Sequence, residues 1–197
     1  IEKSTGEYIS ILGSDDAFYS YTIEEQLKFL EENPACGMVC GICQHIDQNG
    51  ENLPRIFGEN VWAKSDALRK MFIENPISAP TVMVRRACYD DVGLYDTNLI
   101  YSDYEMWLRI MIFSDWKIGF INKLLAMYRV HTTNVSLNQP YFVNRQRMLD
   151  IFRKIENMLN KRKERHPSTR KWLKQGIAVS TLDMFYNKAG EGRVLQS

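Results

Sequence analysis

The chain has 197 residues, 45% hydrophobic and 12% aromatic, enough apolar side chain to pack one domain and too much for a disordered one. Its 25 basic and 24 acidic residues leave a net charge of +1, which argues against a dedicated nucleic-acid binder. No apolar run approaches the ~18 residues of a membrane-spanning helix, and no secretory leader pattern opens the chain.

Taken in order, Tyr8–Leu12 is predicted as a short strand, closed by Gly13-Ser14-Asp15-Asp16. A helix follows from Ile23 to about Glu32, with Thr22 and Glu25 spaced as a capping box and Ile23, Leu27 and Leu30 on the apolar side. Gly37–Ile46 is a second strand, and Asp47-Gln48-Asn49-Gly50 turns it into a hairpin. The segment Gln48–Trp62 is a candidate specificity loop, with Asn52–Asn60 as its mobile part. A helix is predicted over Lys64–Asn75, a strand over Thr81–Val84, and a short helix over Arg86–Val92, stopped by Gly93. Tyr101–Phe113 is a helix with Trp107, Ile110 and Met111 inward, and Ile118–Val130 holds two short strands broken near Asn122-Lys123.

The end of the chain differs in kind. Gln139 to about Arg165 is a long helix whose Met148, Phe152, Ile155 and Leu159 form an a/d seam, and Pro167 starts a second helix ending near Gly190. The pair should form a hairpin against the domain or against another copy. Between Gln139 and Gln175 eleven Lys and Arg face three acids, a net of +8, while the remainder carries −7. Such a segment attracts phosphates, anionic lipid or an acidic partner; a solvated helix face has the same composition.

Cys36, Cys40 and Cys43 share the C-x3-C-x2-C spacing of an iron–sulfur ligand set. They fall in an apolar, β-prone run, however, so packing of reduced thiols is the expectation. Asp15 and Asp16, at the C-terminal end of a strand, are two hard oxygen donors suited to Mg2+ or Mn2+ bridged to a diphosphate; a capped turn uses the same residues. Asp103 and Glu105 open the Tyr101–Phe113 helix, where the dipole favours acids and keeps a carboxylate ionised, as a general base requires. His131, at a strand end before Thr132-Thr133-Asn134-Val135-Ser136, is of a type that ligates metal or contacts phosphate, or serves structure alone.

These stretches, in this order, resemble the family 2 glycosyltransferases, which have the GT-A fold. The matching pieces are Thr5–Ile9 with Ser14-Asp15-Asp16, Gln26–Gly41, Val84-Arg85-Arg86 to Gly93-Leu94-Tyr95-Asp96, Asp103–Arg109, and Tyr128-Arg129-Val130-His131 to Ser136. The resemblance implies an incomplete GT-A mixed α/β sheet flanked by helices: residues 1–137 as the C-terminal, metal and acceptor side of the domain, residues 138–197 as a helical hairpin tail. It implies an inverting transfer from a nucleotide-diphospho-sugar, a UDP-sugar first among them, to a saccharide or lipid-linked acceptor. Asp103 would be the base, Asp15 and His131 would hold Mn2+ or Mg2+ on the donor diphosphate, and Asp16 would support them. Gly13 stands where the family usually carries the first acid of D-x-D, and Ser102 where a Glu often precedes the base. The lost acid leaves a second reading open, a non-catalytic sugar- or nucleotide-binding or assembly module that kept the fold. The expected setting is cytoplasmic, peripheral at the inner membrane face, with the basic helices meeting a membrane surface or another copy.

Overall fold

The computed structural model describes residues 1–58, 67–134 and 139–194, with side chains described to residue 186. In chain order the elements are β1 (Tyr8–Ser10), β2 (Ala17–Phe18), α1 (Thr22–Glu32), β3 (Cys36–Ile46), β4 (Asn52–Phe57), α2 (Ala67–Met71), β5 (Met83–Arg85), α3 (Arg86–Val92), α4 (Ser102–Phe113), β6 (Lys117–Arg129), α5 (Tyr141–Leu159) and α6 (Thr169–Val194). A 3-10 turn, Ala79–Thr81, precedes β5.

β3 organises the molecule. Its run of Cys, Gly, Met, Val and Ile is apolar at nearly every position, the pattern of a strand covered on both faces. It pairs parallel with β6 on one side and antiparallel with β5 and β4 on the other, within a mixed six-stranded sheet ordered β1-β5-β3-β6-β2 with β4 branching from β3. Alternation along β3 sends Met38 and Cys40 into the larger core with α3, α4 and α5, and Val39 into a smaller one beneath α1. Gly119 in β6 is where the Phe29 ring of α1 rests, so any side chain there would drive the helix off the sheet. The cysteines pack as expected: Cys40, Cys43 and Cys88 are buried and free, and burial pushes the Cys43 and Cys88 thiols up to about 11 and about 12.

Several local expectations change in the folded chain. β6 is one strand, and the expected break at Asn122-Lys123 is a bulge, with Gly41 opposite Ile121 and the next residue, Ile42, opposite Leu124. The Thr22–Glu25 capping box does not form: Thr22 is buried inside the first turn of α1 and its hydroxyl donates to the Leu125 carbonyl, while Glu25 pairs with Lys123 at 2.6 Å. Ile23 points to solvent, and the inward face is Thr22, Gln26 and Leu30, with the Gln26 amide donating to the Thr81 carbonyl at 2.8 Å. Asn52–Phe57, expected within a mobile loop, is strand β4 on β3. Residues 59–66, including Trp62 and the expected start of the Lys64–Asn75 helix, lie outside the described residues.

α4 is buried on almost every side, with Met106, Leu108, Ile110 and Ile112 wholly enclosed and Met111 only half-buried. α5 and α6 form the expected hairpin, and it packs against the domain. Ile151, Phe152, Ile155 and Leu159 of α5 and Leu173 of α6 belong to the same apolar cluster as Met38, Val84 and Trp107. The core is therefore continuous across residue 137.

Candidate active site

The loop after β1 turns tightly, with the Asp16 amide donating to the Gly13 carbonyl at 3.2 Å. A Cβ at Gly13 would lie 2.8 Å from Asp16 Oδ2 and 3.1 Å from Asp15 Oδ1. The two carboxylates thus fold back over Gly13, and a side chain there would meet only their movable ends. β2 then pairs with β6 through Ala17–Met127 and Phe18–Ala126, which carries the loop alongside the end of β6. Residues 15 and 131, far apart in sequence, meet there: His131 Nε2 lies 2.7 Å from Asp15 Oδ2.

Arg129 ties this corner together. Its amide donates to Asp16 Oδ1 at 3.0 Å, its Nε to the Asp15 carbonyl at 2.9 Å, and its Nη1 to the Asp47 carbonyl at 3.0 Å in the β3–β4 hairpin. Asn134 sets the backbone of the following turn, its Oδ1 accepting from the His131 amide at 2.6 Å and its Nδ2 donating to the Arg129 carbonyl at 3.1 Å. The Thr133 amide donates to His131 Nδ1 at 3.3 Å, while Nε2 faces both the Asp15 carboxylate at 2.7 Å and the Asn134 amide nitrogen at 3.2 Å. Neither the Arg129 clamp nor the Asn134 brace follows from the residue types of this stretch. The only local signal was a chain of small polar residues after a strand.

The imidazole hydrogen bond holds the Asp15 carboxyl below its ordinary range. Asp16 is shifted the other way, chiefly by burial, despite its hydrogen bond from the Arg129 amide. The pair thus has unlike duties, with Asp15 the exposed, readily ionised member.

Asp103 sits at the first turn of α4 and accepts from the Tyr104 amide at 2.7 Å. It lines a cavity of about 180 Å3 with Ile9, Ile11, Tyr89, Tyr95 and Trp107. Burial raises its pKa, opposite to the lowering expected from the helix dipole, because desolvation in this apolar pocket outweighs the amide hydrogen bond. Such a carboxylate is a stronger base than a solvated one. Ile9 belongs to β1 and Ile11 to the loop that leads to Asp15. Asp15 and His131 touch, Asp16 joins them through Arg129, and no described contact links Asp103 to that trio. Among the described residues, no group of three or more His, Cys, Asp or Glu side chains is clustered for a metal. Val135 and Ser136 lie outside the described residues.

α4 is held firmly beneath this cavity. Arg109 donates to the Val92 and Leu94 carbonyls at 2.5 and 2.6 Å. The wholly buried Glu105 lies 2.9 Å from Arg109 Nε and 2.8 Å from Lys154 Nζ of α5, off the line of a hydrogen bond, so the attraction is chiefly Coulombic. Lys154 also reaches Asp96 at 2.7 Å, holding that carboxyl at about 2.

Comparison with known proteins adds an independent line. Residues 1–93 match the family described as Glycosyl transferase family 2. An uncharacterized glycosyltransferase of Rickettsia typhi is 30% identical over 71% of this chain and 45% of its own. Another, of Methanocaldococcus jannaschii, is 30% identical over 66% of this chain and 44% of its own. The amylovoran biosynthesis glycosyltransferase AmsE of Erwinia amylovora is 26% identical over 56% and 41%. The chain spans less than half the length of each of these relatives.

Proposed function

Given that this chain belongs, over residues 1–93, to glycosyl transferase family 2, we propose that it carries the metal and acceptor side of an inverting glycosyl-transfer site. The observation that carries the reading is the meeting of Asp15 and His131 at 2.7 Å. It joins an ionised carboxylate and an imidazole at the end of β6.

In this mechanism the Asp103 carboxylate takes the proton from an acceptor hydroxyl seated in the cavity. The acceptor oxygen then bonds to the anomeric carbon from the face opposite the nucleoside diphosphate. The bond from that carbon to the diphosphate oxygen breaks, and its electron pair leaves with the diphosphate. Asp15 and His131 suit Mg2+ or Mn2+, hard cations that draw most of their ligands from phosphate and water and need one or two protein donors. A cation held there would neutralise charge on the leaving diphosphate. Asp16 and Arg129 keep the Asp15 loop in place. The donor is a nucleoside-diphosphate sugar, with uridine first among the bases, and the acceptor a saccharide or a lipid-linked one. The relative named for amylovoran biosynthesis favours a polysaccharide-building setting, and a cytoplasmic place at the inner membrane face belongs to the same proposal. Residues 1–137 are the domain part and 138–197 its helical tail.

Gly13 favours one other reading, since it stands where the family usually carries the first acid of D-x-D. It is that of a sugar- or nucleotide-binding module without catalysis. Calorimetric titration of UDP, GDP and dTDP into the intact protein, with and without Mn2+, tests the proposal. Manganese-dependent binding of one nucleotide, lost in Asp15→Ala, is expected. Nucleotide binding that ignores both manganese and that substitution, without sugar transfer, would establish the module instead.

A further inference from the structure

The largest groove among those described runs between α5 and α6 and is lined by neither Asp15 nor Asp103. It holds about 600 Å3 and is walled by Phe142, Val143, Leu149, Met184 and Phe185, with Arg147 and Arg153 at its sides. Nη1 of Arg147 is buried and has no hydrogen-bond partner among the described residues. The guanidinium lies over the Tyr101 ring, 5.4 Å from its centre. A guanidinium nitrogen withdrawn from water and left unbonded is costly, so the side chain gains by turning out to an anion at the groove.

The outer face of α6 continues this surface. It begins with exposed Lys171 and Lys174. Further along, Leu182, Phe185 and Tyr186 are 55%, 71% and 69% exposed. Apolar side chains exposed to this degree along one helix face need a cover. A second copy of the chain is a poor one, because a two-fold contact would set this segment, net +8 over Gln139–Gln175, against itself. A ligand with a hydrocarbon body and a negative head suits both the apolar walls and the Arg147 and Arg153 side chains at the groove. No helix among the described residues is long and apolar enough to cross a membrane, so any such contact is made at the surface.

We propose that the α5–α6 groove and the outer face of α6 dock on a bilayer containing anionic lipid, with the apolar residues entering the acyl boundary and Arg147 meeting a lipid phosphate. Arg153, whose exposed partner Asp150 lies at 3.7 Å, and the two lysines add attraction to the surface. The inference stands on this surface alone and does not require the transfer reaction. Tyr101, on which Arg147 stacks, directly precedes α4 and Asp103. Docking here would therefore hold the cavity near lipid-borne molecules.

Sedimentation of the intact protein with phosphatidylcholine vesicles, with and without phosphatidylglycerol, tests this. Binding only to the anionic vesicles, weakened by salt, is expected. The double substitution Leu182→Glu, Phe185→Glu should abolish it, and Arg147→Gln should weaken it roughly fivefold. All three changes should leave the melting temperature within a few degrees of the parent, since the first two side chains are exposed and the third lies at the groove. Absence of binding at low salt, or equal binding to uncharged vesicles, overturns the proposal. So does a lipid-free dimer that the double substitution converts to monomer without any vesicle binding, which would give the face to a second copy.

Discussion

Asp103 is the residue on which function and stability pull apart. Its folded pKa is raised by burial, so it contributes stability that is fully present below its unfolded pKa and lost as pH rises through the folded value. Asp103→Asn is therefore expected to abolish transfer while leaving the protein as stable or more so at pH 7, which thermal melts and a donor-transfer assay measure together. The acidic limb of the wild-type rate profile should lie above the ordinary carboxylate range, since the base must be deprotonated to act. Asp15 behaves in the opposite sense. Its pKa is lowered by the imidazole, so the stability it supplies is present above its unfolded pKa and lost as pH falls through the folded value. Its side chain is 40% exposed, which screens the pair and keeps that contribution small. Asp15→Ala should hence cost donor binding far more than stability.

At the scale of elements, α4 matters because it carries Asp103 on one end and a buried ion network along its length. Glu105→Gln removes the buried negative charge that faces Arg109, while Lys154 keeps its pair with Asp96 at 2.7 Å. Breaking such a network is expected to cost about 3–5 kcal/mol in urea unfolding. The helical hairpin is equally bound to the core. Phe152, wholly buried, meets Phe72 at 5.6 Å between ring centres and Tyr104 at 6.3 Å. Phe152→Ala should cost roughly 3–5 kcal/mol, measurable by denaturant unfolding, and the transition should remain single because the hairpin and the sheet share one cluster.

Across the whole molecule, the amino-acid sequence by itself determined the elements whose patterns are local. The α3 range Arg86–Val92 with its glycine stop, the Asp47–Gly50 turn, the buried β3 run and the Phe152-Ile155-Leu159 seam were all legible, because each rests on periodicity or turn chemistry within a few neighbours. The candidate acids and His131 were legible as residue types at strand ends and a helix start, and the family resemblance arranged them in order. The tertiary structure alone decided what they touch. Thr22 abandoned its cap for a carbonyl on β6, and Asn122-Lys123 became a bulge once β3 supplied a continuous partner. Desolvation reversed the direction expected for Asp103. Asp15 and His131 stand 116 residues apart, and their contact follows from the β2–β6 register and the Arg129 clamp. Sheet order, burial and long-range charge pairing are cooperative properties of the packed chain, and no window of neighbouring residues encodes them.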